Sequence, residues 1–384
     1  MAAHPADLSR TLLGVVKGPQ LDRRSFLGAS VGAAFLCTIG GKAVTIANPD
    51  DVRLADQAAS KIAKPLLATK EGGAAGPKAN ATRAEIADGS RFATPEPQPG
   101  GRVREYWIAA VSTKWNYAPT GRDEWMSKSI PGRKTFTAFC YQPFSTGFAS
   151  PIGVASMPGP ILYGEVGDVI KVHFRNSDEH FNQAVTMHPH GVKYNPDYDG
   201  SYYGKFTRIG GFISPGEEFT YTWECTPDSV GVWPYHDHGP NHTINTLRGL
   251  FGALIIRERG AAIPDVERVL YFHSLLPQIT NIPRQIQTVN GRSAAGNTPT
   301  IRAKVGQDVA LHIIGGNNDF HDFHIHGHRW AKDGDGPWID TQTVGPNETI
   351  TVRWREDNPG RWLYHCHVFS HQDGGMAGWY IVDS

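Results

Sequence analysis

Three stretches of this chain occur twice, in the same order. Residues 166–174 return as 305–313, residues 214–223 as 345–354, and residues 231–238 as 360–367. In the first pair apolar and polar side chains alternate, the period of a half-buried strand. Repetition on this scale calls for two copies of one β unit. The 43 glycines and 27 prolines suit the many short strands and turns that two such units need. The chain therefore reads as all-β, with one β-sandwich over residues 102–260 and a second over 261–384. At 384 residues there is room for both and for an N-terminal extension.

The third repeated pair carries the chemistry. Its second copy ends in His365-Cys366-His367, with His371 and Met376 following. A thiolate, two imidazoles and a weakly bound thioether form the ligand set of a blue-copper electron-transfer centre. On a strand, residues 365 and 367 point to the face opposite 366. Those two histidines would therefore serve other metal ions one peptide away from the sulfur. Further pairs lie upstream: His188-Pro189-His190-Gly191, His236-Asp237-His238, and His321-Asp322-Phe323-His324-Ile325-His326. A single pair of this kind is a weak signal, but four ordered clusters are a specific one. Zinc is excluded by number, since a structural zinc site closes with about four ligands.

These four clusters resemble those of the multicopper oxidases, and over residues 102–384 the chain is similar to their two-domain, laccase-like bacterial members; domain 1 also resembles ceruloplasmin-type ferroxidase domains. The resemblance implies two cupredoxin-like Greek-key sandwiches and four coppers per chain. His321, Cys366 and His371, with Met376 axial, would hold type 1 copper. His188 and His324 would hold type 2, and His190, His236, His238, His326, His365 and His367 the type 3 pair. Asp237 stands where the second copy has Cys366, so type 1 copper is expected in domain 2 alone, unlike a copper nitrite reductase, whose blue site lies in the first domain. The implied cycle takes single electrons at type 1 copper, passes them through Cys366, and reduces O2 to water.

Two-domain laccases show a tyrosine and an aspartate at the spacings of Tyr194 and Asp199 from the first cluster. That likeness implies a proton-relay role for Asp199 and an electron-donor role for Tyr194; the alternatives are turn chemistry at Asp199-Gly200 and plain packing of Tyr194. Phenols and related aromatics are the first expected reductants, and metal ions (Fe2+ or Cu+) the second. Against Cu+ stand only five methionines and no Met-rich loop. A copper carrier or store needs neither four clusters nor a thiolate joined to two further ligands. Because each domain supplies four cluster histidines, two domains of unlike type must meet, and the resemblance implies a homotrimer with clusters between chains.

Lysine plus arginine balances aspartate plus glutamate at 37 each, so no global field attracts nucleic acid or an anionic membrane. Asp22-Arg23-Arg24-Ser25-Phe26-Leu27 and the apolar stretch after it, within residues 1–47, read as a twin-arginine export signal, with no membrane span in the mature chain. Residues 48–101, rich in Ala, Lys, Gly and Pro, read as a flexible spacer. Export to an oxidising compartment leaves Cys140 and Cys225 as either a disulfide or two buried thiols. The other histidines, among them His173, His242, His273 and His312, lack ligand spacing, and His328 follows a cluster closely enough to support it.

Overall fold

A computed structural model describes residues 92–384, together with the backbone of a two-stranded ribbon in which Phe35–Ile39 pairs with Lys42–Ile46. The ribbon lies in one compact unit, residues 1–74, and the sandwiches lie in another, residues 75–384. The twin-arginine motif of the export-signal reading and most of the spacer reading fall outside the described residues.

Domain 1 is built from β1 (Val103–Asn116), β2 (Thr135–Phe144), β3 (Ile161–Glu165), β4 (Val169–Asn176), β5 (His188–Pro189), β6 (Glu218–Glu224), β7 (Gly231–His236) and β8 (Phe251–Arg257). Its two sheets have the orders β6-β4-β1-β2 and β3-β8-β7-β5. Domain 2 contains β9 (Val266–Leu275), β10 (Ile286–Val289), β11 (Ile301–Lys304), β12 (Asp308–Gly315), β13 (His321–Ile325), β14 (Thr341–Val344), β15 (Thr349–Arg355), β16 (Gly360–Cys366) and β17 (Ala377–Asp383). Its sheets run β10-β9-β12-β15 and β11-β17-β16-β13-β14. In domain 1 the parallel pairs are β1 with β4 and β3 with β8; in domain 2 they are β9 with β12 and β11 with β17. Each domain is a cupredoxin-like sandwich, and the duplication extends to topology.

It extends to side-chain detail as well. Gly231 and Gly360 open β7 and β16 at φ of 146° and 149°, a region that side chains rarely adopt. A Cβ there would meet the indoles of Trp233 and Trp362 at 3.3 and 3.2 Å. Those indoles donate to the carbonyls of Ser229 and Asn358 at 2.8 and 3.0 Å. One position before each histidine cluster, Tyr235 and Tyr364 donate to Pro160 and Pro299 at 2.6 Å. Repeated anchors of this kind fix the height at which each cluster leaves its strand.

Alternation along β8 and β9 joins the domains. Leu254 and Ile256 face the core of domain 1, and Leu270 and Phe272 face that of domain 2. Phe251, Ala253 and Ile255 instead meet Val269 and Tyr271 in a third core between the sandwiches. With both faces buried, these strands carry near-continuous apolar runs. Cys140 belongs to the third core and Cys225 to that of domain 1. Both are unpaired thiols, so the disulfide alternative is not realised, and burial pushes each thiol up to about 12. No helix among the described residues is long and apolar enough to cross a membrane.

Candidate metal centre

Strands β13 and β16 pair with Phe323 opposite Cys366 and His324 opposite His365. This register sorts the ligand candidates by face. On the inner face the Cys366 sulfur lies 3.8 Å from Nδ1 of His321 and 3.6 Å from Nδ1 of His371, and the three donor atoms fall within 4.8 Å of one another. Met376 is fully buried in the same core, and its carbonyl accepts from the Cys366 N–H at 3.0 Å. The Asp322 N–H points at the sulfur from 3.4 Å. Burial pushes the Cys366 thiol up to about 11, so a free thiolate is disfavoured there and a thiophilic cation would offset that cost. His371, on the short helix Phe369–Asp373, is half-buried and brings the site to the surface.

Two histidine groups stand apart from this sulfur. In domain 1 the Nε2 atoms of His190 and His236 lie 3.0 Å apart, and the His188 ring sits 5.1 to 5.5 Å from those of His190, His236 and His238. In domain 2 Nε2 of His326 and His365 are 3.3 Å apart, with the His324 ring 5.2 to 5.3 Å from those of His326, His365 and His367. Nδ1 of His188 and His324 donates to the carbonyls of Asp199 and Asp340 at 2.7 and 2.8 Å. Nδ1 of His236 and His365 donates to those of Asp237 and Cys366 at 2.8 and 3.0 Å. In all four rings Nε2 is thus left as the free lone pair, the usual arrangement behind a metal ligand. Burial, then neighbouring histidines, pushes His190 down to about 4 and His236 to about 3; His365, also buried, falls to about 4. Imidazoles with oriented Nε2 atoms, and a thiol beside two more imidazoles in a core that includes a thioether, fit copper in their chemistry.

Within one chain the two groups are not brought together. Among the described residues, ring contacts link cluster histidines only within each domain, and His326 and His367 are exposed.

Asp199 and Tyr194 both reach His188. An Asp199 carboxylate oxygen is 3.1 Å from Nδ1, and the Tyr194 ring lies edge-on to His188 at 5.8 Å. Burial opposes ionisation of Asp199, yet hydrogen bonds from His188, Tyr203 and Ser201 outweigh it and hold the carboxyl below its ordinary value. Burial, reinforced by the Asp199 charge, pushes the Tyr194 phenol up to about 12.

Of the other neighbours, the sequence points to His328 but not to Asp340, Thr341, Glu356 or Trp125. Asp340 and Thr341 serve His324 as Asp199 and Ser201 serve His188. His328 donates to the carbonyl of His326 at 2.8 Å and pairs with buried Glu356 at 3.0 Å. Trp125, in a domain 1 loop, stacks on His365 at 6.5 Å. His173 and His312 occupy matching places away from the centre, each between a glutamate and a threonine.

Sequence models of the multicopper oxidase family match residues 152–261 and 272–384. Ferroxidase HEPHL1 of Homo sapiens is 27% identical over 352 residues, covering 74% of this chain and 30% of that protein. A probable nitrite reductase–hydroxylamine oxidoreductase fusion protein of Kuenenia stuttgartiensis is 30% identical over 256 residues, covering 62% and 29%. This chain therefore spans about 30% of the length of these curated relatives. Among solved structures, a crystal structure of a multicopper oxidase superposes with a TM-score of 0.59 at 24% identity, covering 75% of this chain and 92% of that one.

Proposed function

Because the chain belongs to the multicopper oxidase family, we propose that it is a laccase-type oxidase, coupling one-electron oxidation of phenolic and related aromatic reductants to the four-electron reduction of O2 to water. The observation that carries this reading is one strand end, His365-Cys366-His367, which directs its sulfur to one donor group and its two imidazoles to another. Copper bound at these groups, four ions per chain in the three types of the family, would supply the one-electron and oxygen chemistry. The chain's own part is to join the groups covalently through the backbone of Cys366, to orient the imidazoles, and to keep a carboxylate at His188. Asp199, ionised and hydrogen-bonded to His188, would accept and pass on protons. Tyr194, which stays a phenol, would be a reserve electron source beside the same ring. His371, half-buried next to the exposed Phe369, offers an edge at which flat aromatics can give up electrons.

A second reading, a metal-ion oxidase, is favoured by Asp319 and Asp322, whose charges reach His321 and His371 and could hold Fe2+; the relative's printed name, ferroxidase, agrees. Steady-state O2 uptake with 2,6-dimethoxyphenol, Fe2+ and Cu+ side by side separates the two. Fastest turnover on the phenol supports the first reading, fastest turnover on Fe2+ the second, and no uptake with any of them removes both.

The separate half-clusters, with His326 and His367 exposed, support a homotrimer in which domain 1 of one chain completes domain 2 of the next. An extracytoplasmic location, reached by the twin-arginine route, is proposed on the sequence of residues 1–47.

A further inference from the structure

Asp237 stands at the register position of Cys366, and the structure repeats the framework of the thiolate site around it. The Asp237 N–H donates to the carbonyl of Leu250 at 3.0 Å, as Cys366 does to Met376 at 3.0 Å. The Leu250 N–H donates to Asn245 at 3.1 Å, as Met376 does to His371 at 3.0 Å. The Thr186 N–H donates to Asp237 Oδ1 at 2.8 Å, where Asp322 donates to the Cys366 sulfur at 3.4 Å. Leu250 thus takes the place of Met376 and Asn245 that of His371. Val185, three residues before His188, takes that of His321, three before His324. All four residues of the domain 1 copy are fully buried. Where domain 2 has a sulfur 3.6 Å from an imidazole nitrogen, domain 1 has a carboxylate 3.1 Å from the Asn245 amide.

The carboxylate also receives the Gly239 N–H at 3.1 Å and the Thr186 hydroxyl at 3.4 Å. That hydroxyl accepts the His238 N–H at 3.0 Å, and the Asp237 carbonyl fixes Nδ1 of His236. Both histidines of the pair are therefore tied to one residue, His238 through its main chain, Thr186 and the carboxylate, and His236 through the backbone carbonyl. On the reading that this pair holds copper, we propose that Asp237 is a positioning residue. Its hydrogen-bonded carboxylate is a metal-free hub that fixes the main chain of Asp237 and, through Thr186, that of His238, and so aims His236 and His238. Cys366, whose carbonyl fixes Nδ1 of His365, holds the matching place in domain 2.

The hub works through geometry, so the conservative amide should rescue it. In Asp237→Asn, Oδ1 still accepts from Thr186 and Gly239. The new Nδ2 can donate to Asn245 Oδ1, a buried atom without a partner, once that amide turns over. In Asp237→Ala the Thr186, Gly239 and Asn245 donors are all stranded. Removing such a support typically weakens metal binding about 10- to 100-fold.

The test is copper titration of metal-free wild type, Asp237→Ala and Asp237→Asn, following the blue band, the type 2 electron paramagnetic resonance signal, and thermal midpoints before and after loading. Asp237→Ala should weaken binding outside the blue site at least about tenfold and shrink the midpoint rise on loading, with the blue band intact. Asp237→Asn should stay within about threefold of wild type. Wild-type affinity in Asp237→Ala, or equal loss in both variants, overturns the hub. If Asp237→Ala does not fold, Asn245→Ala, which removes one donor, reads the same quantity: weakened binding supports the hub and unchanged binding overturns it. A wild type that takes up copper at the blue site alone would instead sink the oxidase reading.

Discussion

Glu356→Gln should cost about 3 kcal/mol at neutral pH and erase a pH dependence that the wild-type chain carries. The carboxylate is 1% exposed. It receives His328 Nε2 at 3.0 Å, Trp354 Nε1 at 2.8 Å, the Tyr380 hydroxyl, and the N–H groups of Asp357 and Asn358 at 3.1 and 3.0 Å. Burial alone would raise its pKa, but these donors outweigh burial and push the carboxyl from 4.5 down to about 2. At about 1.36 kcal/mol per pH unit, that difference is worth about 3 kcal/mol. A carboxylate depressed in the folded state stabilises fully above its unfolded pKa and loses that contribution as pH falls through the folded one. The window therefore runs from about pH 4.5 down to about pH 2. Glutamine would face the same donors with an NH2 that cannot accept, losing one or two charge-assisted bonds of roughly 1.5 to 3 kcal/mol each. Urea unfolding of both metal-free proteins at neutral pH, at the top of the window and near its foot measures the effect. The wild-type advantage should be largest at neutral pH and shrink steadily with acidification. Parallel loss in the two proteins would refute the reasoning.

Cys366→Ser should abolish the blue colour, which arises from thiolate-to-copper charge transfer, and keep most other copper; a colourless wild type with full copper by metal analysis would contradict the assignment. Met376→Leu should raise the potential of that site in a redox titration, because a long thioether bond tunes it, and an unchanged potential would mean that Met376 is not axial. Asp199→Asn should slow reoxidation by O2 far more than reduction by substrate in stopped flow, with copper retained. His238→Ala and His367→Ala should each be nearly inactive alone, yet regain activity in mixed oligomers confirmed by mass spectrometry. Mixed oligomers as inactive as the parents would place complete clusters within single chains.

What the sequence disclosed follows from how the information is stored. Sandwich, duplication and ligand pairs rest on local signals: alternation along β4 and β12, the glycine before Trp233 and Trp362, and histidines two residues apart on a strand. The face assignment at 365–367 needed only the pleat. The supporting residues come from distant chain. Trp125 reaches His365 across 240 positions, Glu356 meets His328 through the packing of β15 and β17, and Asp340 reaches His324 only because β13 and β14 pair. Asn245 and Leu250 escape alignment by eye because the loop after Asp237 is three residues longer than the one after Cys366: His236 pairs with Phe251, whereas His365 pairs with Ala377. Cys140 and Cys225 illustrate the opposite problem, since cysteine parity alone does not reveal that the two sit in different cores.

The third core, shared by β8 and β9, makes the two halves unequal partners in one object. Phe251 and Ile255 from one half and Val269 and Tyr271 from the other are buried together in it, so a chain cut near residue 260 would expose apolar side chains on each piece. Such faces invite aggregation. Although each half repeats the other in strand order and anchor residues, neither is a spare part. Half of this chain would present an unfinished surface.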